Sequence, residues 1–194
     1  MKIVAISDTH ENHPVVPDGD VLIHAGDFAC GDDLSSLRRD IAWLKSLPHQ
    51  VKILVKGNHD LVLNCRKDAA ELLRPIHLLE DSSIEINGVT FYGVAWKSAP
   101  NIPAGTDVVI SHEPCHGILD AGMGSPVLRR AVLSAHPQLF VAGHVHGARG
   151  HVVVDGIHFY NATLDAPTTD VVEAMSHTIK LPAVQPWVHT LEVL

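Results

Sequence analysis

Short apolar runs separated by polar clusters characterise the chain from its first residues. Three of these runs are residues 2–7, 21–25 and 51–55. Runs of this length are typical of strands that are buried on both faces. Between the second and third runs, apolar residues recur at three- and four-residue steps over residues 34–47. This spacing predicts a helix that Asp32 or Asp33 caps and Pro48 ends. The order strand, strand, helix, strand predicts an α/β fold.

The later part of the chain predicts two β-hairpins among further strands and helices. An Asn-Gly pair lies between the alternating arms of residues 84–91, and an Asp-Gly pair lies within residues 151–160. Both pairs are turn signals of two-residue hairpins. The other predicted elements are a short helix around residues 65–73, a helix over 127–135 introduced by Ser125 and Pro126, strands over 91–96, 107–111, 139–142 and 186–193, and mostly loop over 163–185.

Side chains that can bind a metal follow five of the predicted strands. They are Asp8 and His10, then Asp27, then Asn58 and His59, then His112, and finally His144 and His146. Ligands bind at the C-terminal ends of strands in α/β sheets, and oxygen and nitrogen donors suit divalent metals. Unrelated polar residues have no physical reason to share this placement. We therefore predict that the five clusters converge on a pair of metal ions, with His59 beside them as a proton donor.

Each cluster taken alone has an ordinary explanation. The segment Asp8-Thr9-His10 could be a solvated loop, and His112 could be a hydrogen-bonded core histidine. The pattern of His144 and His146 is stronger, because alternate residues of an extended segment reach the same side. Two metals about 3.5–4 Å apart need a ligand that bridges them, and Asp27 is the natural candidate.

Composition and charge narrow the class of protein. The chain has 194 residues, of which 46% are hydrophobic and 19% charged, so we expect one globular domain over residues 1–194. The 15 histidines contrast with an aromatic content of 5%, and histidine is the commonest metal ligand. A net charge of −8 without a Lys/Arg run argues against a long nucleic acid as partner.

Cysteine use and hydropathy indicate a compartment. The three cysteines lack the spacing of a disulfide framework, which fits a reducing environment. No apolar run approaches the length of a membrane span, and the first apolar run is too short for a signal peptide. We expect a cytoplasmic protein without membrane contact.

The motifs D-x-H, G-D, G-N-H-D, a strand-end histidine and G-H-x-H occur in this order over residues 3–161. Together they resemble the calcineurin-like metallophosphoesterase family. The resemblance implies a four-layer αββα sandwich of two mixed β-sheets flanked by helices, with a metal site at the C-terminal strand ends. It implies one metal held by Asp8, His10, Asp27 and His146, a second held by Asp27, Asn58, His112 and His144, and His59 as the catalytic histidine.

The implied activity is hydrolysis of a phosphoester by a metal-bridging hydroxide, with His59 as general acid. Residues 111–120 and 159–163 resemble the small metallophosphoesterase-domain phosphodiesterases, although Glu113 and Cys115 replace a glycine and a proline of that subgroup. Protein phosphatases of the wider family carry G-D-x-x-D-R-G, and here Cys30 and Gly31 take the Asp and Arg positions. An arginine that would clamp a phosphomonoester is therefore missing, which favours a small phosphodiester substrate.

Several assignments stay open at the level of sequence. His13 and His116 flank ligand blocks and are candidates for substrate contact, and Asp60 or another carboxylate could orient the His59 ring. Trp96 and Tyr92 could form a stacking wall, although a place in the core is the simpler explanation. The two metals could be Mn, Fe, Zn or Ni, and Mn is favoured. Physiological substrate and oligomeric state are left open.

Two other functional classes remain as alternatives. The first is a catalytically silent protein-binding scaffold of the same fold. Such scaffolds typically lack the catalytic histidine or a metal ligand, whereas all of these positions are filled here. The second is another binuclear hydrolase, such as a metallo-β-lactamase-like enzyme, and its H-x-H-x-D-H signature is absent.

Overall fold

Two β-sheets form the centre of the computed structural model, which describes residues 1–31, 33–164 and 177–180. In chain order, the strands are β1 (Lys2–Ile6), β2 (Val21–His24), β3 (Val51–Leu54), β4 (His77–Leu78), β5 (Ser82–Ile86), β6 (Val89–Gly93), β7 (Val108–Ile110), β8 (Leu139–Ala142), β9 (Gly150–Val154), β10 (Ile157–Asn161) and β11 (His177–Lys180). The helices are α1 (Leu34–Ser46), α2 (Leu61–Asn64), α3 (Ala69–Leu73) and α4 (Pro126–Ala135), and a 3-10 turn covers His146–Ala148.

Both sheets are mixed. The first has the strand order β11-β1-β2-β3-β4, in which β11 is antiparallel to β1 and the other neighbours are parallel. The second has the order β5-β6-β7-β8-β10-β9, with antiparallel pairs at its two edges. The central strands of each sheet are parallel, so their C-terminal ends lie along a common edge.

Strand β1 shows why its residues had to be apolar on both faces. Ile3 and Ala5 belong to the apolar cluster between the sheets, where they meet residues of the second sheet such as Phe91. Val4 and Ile6 belong instead to the cluster between the first sheet and the helices α1, α2 and α3. All four side chains are buried, and successive side chains of a strand point to opposite faces.

The helices cover the two outer faces. Helix α1 begins after Asp33, whose carboxylate accepts hydrogen bonds from the backbone N–H groups of Ser35 and Ser36, as an N-cap does. Helix α4 begins after Ser125, whose hydroxyl accepts a hydrogen bond from the backbone N–H of Leu128, and it packs on the outer face of the second sheet. The layers are therefore helix, sheet, sheet and helix, which confirms the predicted αββα sandwich.

Three local predictions differ from the structure. The helix predicted around residues 65–73 is two short helices, α2 and α3, and the strand predicted over 91–96 ends at Gly93. The loop predicted over 163–185 is wrong at β11, whose pairing with β1 is a non-local contact that local patterning does not reveal. The strand predicted over 186–193 lies outside the described residues. Within the described part of the chain, no helix is long and apolar enough to cross a membrane.

His24 at the end of β2 is a core histidine. It is fully buried, its Nε2 lies 3.0 Å from Thr9 Oγ1, and its ring packs edge-on against Phe28. Burial lowers the pKa of His24 to about 3, because a buried imidazolium loses its hydration. The ring therefore stays neutral in the folded protein over the pH range in which an unfolded histidine takes up a proton.

We expect His24 to make the metal-free protein acid-sensitive. The folded-state pKa lies below the unfolded value, so its contribution to stability is complete above about pH 6.5 and falls as pH drops towards 3. Urea unfolding in EDTA measures the effect. The free energy of unfolding should fall between pH 7 and pH 5 in both proteins, and the decrease should be about 2 kcal/mol smaller for His24→Gln than for wild type. The exposed His77→Gln serves as control. Equal losses in wild type and His24→Gln would contradict the prediction.

Candidate metal centre

The first group of predicted ligands joins the ends of β1 and β8. The Oδ1 atom of Asp8 lies 3.3 Å from Nε2 of His146 and 4.0 Å from Nε2 of His10. The two imidazole Nε2 atoms lie 3.3 Å apart. Three donor atoms are thus gathered within the reach of one cation, although residue 146 is far from residues 8 and 10 in sequence.

The second group joins the ends of β2, β3 and β7. Nε2 of His112 lies 3.2 Å from Oδ2 of Asp27 and 3.2 Å from Oδ1 of Asn58. Nδ1 of His112 lies 2.8 Å from the carbonyl oxygen of Ala25. Because a carbonyl only accepts, Nδ1 donates its proton to Ala25, and Nε2 is the nitrogen that faces the oxygen atoms of Asp27 and Asn58. Ligand atoms of Asp8, Asp27 and His112 all lie within 4.8 Å of one another, so the two groups adjoin.

His144 completes the set. Its backbone N–H donates to the Asp8 carboxylate at 3.0 Å, and its ring centroid lies 5.1 Å from that of His112. The structure therefore brings together every predicted metal ligand, and none is displaced. They are Asp8, His10, Asp27, Asn58, His112, His144 and His146.

The backbone at these positions is unusual. Four predicted ligands have positive φ: Asp8 (58°), His10 (46°), Asp27 (52°) and His144 (69°). Non-glycine residues rarely adopt this region, and each instance costs about 1–3 kcal/mol. Such strain is concentrated where the surrounding structure imposes a functional geometry. Here the strained residues are the predicted ligands themselves, at the points where the chain turns after a strand.

Two glycines allow the loops to approach one another. A Cβ atom at Gly57 would lie 2.2 Å from Oδ1 of Asp27 and 2.8 Å from Nε2 of His112. A Cβ atom at Gly143 would lie 2.4 Å from Oδ2 of Asp8. Both positions therefore require glycine because any side chain would enter the ligand cluster.

Asp60 connects the loops beneath the ligands. Its side chain is fully buried and accepts hydrogen bonds from the backbone N–H groups of Asp27, Phe28, Ala29 and Gly57. The idea that Asp60 orients the His59 ring is thus not supported by these contacts. The carboxylate instead ties the loop after β2 to the loop after β3.

The electrostatics of the cluster favour a cation. Burial acts to raise the pKa of Asp8, but hydrogen bonding to His146 and the charge of His112 outweigh it and lower the pKa to about 2. Burial likewise opposes ionisation of Asp27, yet its hydrogen bond with His112 lowers the pKa. The pKa of His112 is raised, because these carboxylates outweigh the effect of burial. Both carboxylates are therefore ionised, and they stabilise positive charge at the His112 Nε2 position.

These properties fit divalent metals. Burial lowers the pKa of His10 and of His144, so both rings are held neutral, which is the form that binds metal. The donors are imidazole nitrogens, carboxylates and one amide oxygen, a set suited to Mn, Fe, Zn or Ni. The donor set thus has both the chemistry and the charge that a pair of cations requires.

His59 lies beside this cluster and is exposed. Its backbone N–H donates to Oδ1 of Asp27 at 2.7 Å, and its ring centroid lies 5.5 Å from that of His10, with the rings edge to face. The imidazole is thus next to the first ligand group and open to solvent. This is a suitable position for a group that exchanges protons with a bound molecule.

The two predicted substrate contacts lie differently. Nε2 of His13 lies 2.9 Å from Oδ1 of Asp40, and its ring stacks on Trp43 of α1 at 5.0 Å. His116 is exposed, with Nδ1 3.6 Å from Oδ2 of Asp120. Contact of either residue with substrate stays a prediction.

Cys30 and Trp96 lie next to predicted ligands, whereas Tyr92 lies in the core. The Cys30 thiol contacts Nδ1 of His10, on the side of the ring opposite to the ligand nitrogen. Tyr92 is buried in the cluster beneath α4, so the core assignment is correct for it. Trp96 is half-buried, with its ring against His112 and His144.

Sequence reasoning missed the support of Asp8. The Thr163 hydroxyl lies 3.1 Å from Oδ2 of Asp8 and 2.7 Å from the amide oxygen of Asn161, and its single proton can be donated to one of these oxygens at a time. The Asn161 amide nitrogen also donates to the carbonyl of Val145, between His144 and His146. Asn161 and Thr163 lie in a segment that the family resemblance singled out, but no local pattern indicated their partner.

The fold and the donor set define a metal-binding α/β sandwich protein. The family model described as calcineurin-like phosphoesterase matches residues 1–148. The chain therefore belongs to the calcineurin-like phosphoesterase family, whose members are phosphoesterases that use divalent metals.

Relatives from several organisms are similar over most of the chain. Metallophosphoesterase domain-containing protein 1 from Homo sapiens is 30% identical, and the alignment covers 82% of this chain and 64% of that protein. A UPF0046 protein of Caenorhabditis elegans is 33% identical over 84% of this chain and 75% of its own length. Probable rhamnogalacturonate lyase C of Emericella nidulans is 32% identical over 79% of this chain, which spans only 18% of that protein.

Solved structures share the fold. A protein of Thermus thermophilus superposes with a TM-score of 0.60 at 12% identity, covering 82% of this chain and 88% of its own. A protein described as a novel archaeal phosphodiesterase superposes with a TM-score of 0.51 at 21% identity, covering 93% of this chain and all of its own. At these identities the likeness establishes the architecture alone.

Proposed function

We propose that the protein is a phosphodiesterase that depends on two divalent metal ions, of which Mn²⁺ is favoured. The observation that carries this proposal is the convergence of the two donor groups around Asp8 and Asp27, with His59 exposed beside them. One ion would be held by Asp8, His10, Asp27 and His146, and the other by Asp27, Asn58, His112 and His144. When bound, such a pair activates water as a nucleophile and neutralises charge on the phosphoryl oxygens.

His59 is the proposed general acid. It is protonated when substrate binds and donates its proton to the departing ester oxygen, which leaves as an alcohol. Its neighbour His10 approaches it edge to face, and its backbone is held to Asp27. The acid therefore stays close to the cluster without being one of the proposed ligands.

The chain favours a diester because it lacks a clamp for a terminal phosphate. Cys30 occupies a position at which phosphatases of the family carry a carboxylate, and its thiol contacts His10. Burial raises the pKa of Cys30 to about 12, so the group is an uncharged thiol. Gly31 follows where the clamp arginine would be. A phosphoryl group with a single negative charge is thus the better match.

Metal dependence and substrate class can be tested together. We expect EDTA-treated protein to be inactive and added Mn²⁺ to restore hydrolysis of bis-p-nitrophenyl phosphate more strongly than that of p-nitrophenyl phosphate. The measurement is a matrix of Mn²⁺, Fe²⁺, Zn²⁺ and Ni²⁺ against these two esters and cyclic nucleotides, with metal content determined for each sample. A preference for the monoester under all four metals would contradict the diesterase proposal.

The alternative is a catalytically silent scaffold of the same fold. It predicts well under one divalent ion per chain and no Mn²⁺-dependent esterase activity. The complete donor set and the exposed His59 argue against it.

We further propose a cytoplasmic location and a small phosphoester as substrate. The free cysteines are Cys30, Cys65 and Cys115 in the structure, which suits a reducing compartment. The net charge of −8 disfavours binding of a long polyanion. Fractionation of cells that express the protein tests the location directly.

A further inference from the structure

Trp96 is a large aromatic residue that the core does not use. It lies in the loop after β6 and is half-buried. Among the described residues, the three apolar clusters of the fold do not include it, whereas Tyr92 of β6 is buried in one of them. Its ring centroid instead lies 5.3 Å from that of His112 and 5.1 Å from that of His144. The ring therefore borders the metal centre.

Trp96 and His59 border different halves of that centre. His59 packs against His10 of the first donor group. Trp96 packs against His112 and His144, which are proposed to hold the second ion. A phosphodiester has two ester substituents. If the leaving one departs beside the general acid His59, the other extends towards the opposite half of the site, where Trp96 lies.

We propose that Trp96 binds the ester substituent that remains on the product, and that this substituent is a planar aromatic group such as an aryl ring or a nucleobase. This inference rests on the proposed phosphodiesterase activity. Aromatic side chains bind flat π-systems by stacking whatever the details of the ring. The residue thus defines a class of substrate and leaves the chemistry at phosphorus unchanged.

Lys97 is consistent with this assignment. Its ammonium nitrogen lies 5.3 Å from the centroid of the Trp96 ring, and the side chain is exposed. A cation over an aromatic face is held weakly at an exposed site. An incoming aromatic group can therefore replace it over the ring, while the positive charge remains close enough to attract an anionic diester.

A pair of substrates with the same leaving group isolates the retained substituent. Methyl p-nitrophenyl phosphate and phenyl p-nitrophenyl phosphate both lose p-nitrophenolate. Water adds its oxygen to phosphorus as the bond from phosphorus to the nitrophenyl oxygen breaks. The product is methyl phosphate or phenyl phosphate, so only the group facing Trp96 differs.

With Mn²⁺-loaded protein, we expect kcat/KM to be higher for the phenyl diester than for the methyl diester. We divide this preference by the ratio of the two uncatalysed rates and call the result the excess, which should be about tenfold. Trp96→Leu should bring this excess to about one, mainly through KM, and Trp96→Phe should keep part of it. The matched control is Tyr160→Leu, which removes a half-buried aromatic ring of β10 that stacks on His151 of β9 and should keep the full excess.

Metal content separates this role from support of the ligands. If Trp96 only shields His112 and His144, Trp96→Leu lowers metal content or slows hydrolysis of both diesters equally. An excess that is unchanged in Trp96→Leu overturns the inference. Binding of phenylphosphonate and methylphosphonate, measured by calorimetry, gives a second readout. Protein that hydrolyses neither diester but prefers phenylphosphonate in a Trp96-dependent way contradicts the proposed activity and supports the aromatic subsite. Equal binding of the two phosphonates by wild type overturns the subsite.

Discussion

Replacing His59 with alanine should lower kcat about 10²- to 10³-fold for a diester with an alkyl leaving group, and only slightly for one with p-nitrophenolate. An alkoxide is a strong base and needs a proton as it departs, whereas p-nitrophenolate is stable without one. The measurement compares methyl phosphate diesters bearing an alkyl or a p-nitrophenyl leaving group, with Mn²⁺ present. The diagnostic result is that the ratio of kcat for wild type to kcat for His59→Ala is much larger with the alkyl leaving group than with p-nitrophenolate.

The structure indicates that His59→Ala removes the imidazole without disturbing the predicted metal ligands. His59 is exposed, and its contact with Asp27 is made by the backbone N–H, which alanine keeps. The side chain itself contacts the His10 ring only edge to face. Metal content should therefore equal that of wild type, and this equality has to be shown for the rate comparison to report on proton transfer.

His77→Ala is the matched control, because His77 is also an exposed histidine but lies on the edge strand β4. It should turn over both substrates as wild type does. Unchanged turnover of the alkyl substrate by His59→Ala, with full metal content, would remove His59 from the mechanism. A decrease of equal size for both substrates would assign it to binding and not to acid catalysis.

The placement of the ligands was predictable because the end of a buried strand can be recognised in the sequence. A buried parallel strand is a continuous apolar run, so its last residue is visible, as at Ile6 before Asp8. The polar residues that follow must lie at the C-terminal edge of the sheet. Assigning individual residues to one metal or the other needed the family resemblance, since spacing alone cannot show that His146 meets His10.

The parts that escaped prediction depend on contacts between distant segments. Strand β11 forms by antiparallel pairing with the backbone of β1. The sequence of residues 177–180 has no periodicity that predicts a strand. The contact of Thr163 with Asp8 is also non-local, because Thr163 follows β10 of the second sheet and Asp8 follows β1 of the first. The sequence favours a place in the core for Trp96, whereas in the structure its half-buried ring lies against His112 and His144.

Asp60 shows most clearly what sequence reasoning left out. As the last residue of G-N-H-D, Asp60 is predicted from the sequence only as a possible partner of His59, its neighbour in the chain. In the structure its partners are backbone groups of two loops that are about thirty residues apart. Its position next to His59 in the sequence suggests a role in acid catalysis. The tertiary contacts show instead that Asp60 holds together the loops that carry Asp27 and Asn58.

We expect Asp60→Asn to reduce the free energy of unfolding by about 3 kcal/mol and metal affinity by 10- to 100-fold. Oδ1 of Asp60 accepts from the backbone N–H groups of Phe28 and Ala29, and Oδ2 accepts from those of Asp27 and Gly57. An asparagine has one oxygen, so in either orientation its NH2 group faces two buried N–H donors. Those donors lose their acceptor, and the loops that carry Asp27 and Asn58 move apart.

Urea unfolding in EDTA measures the stability of the metal-free protein, and titration with Mn²⁺ measures affinity separately. The exposed Asp18→Asn makes the same chemical change on the surface and should alter neither quantity. Because the shape of the side chain is retained, a fall in affinity reports on the hydrogen bonds and not on a cavity. If Asp60→Asn bound Mn²⁺ as wild type does, the four backbone contacts would be shown not to position the ligands, and the metal centre would owe its geometry to the strands alone.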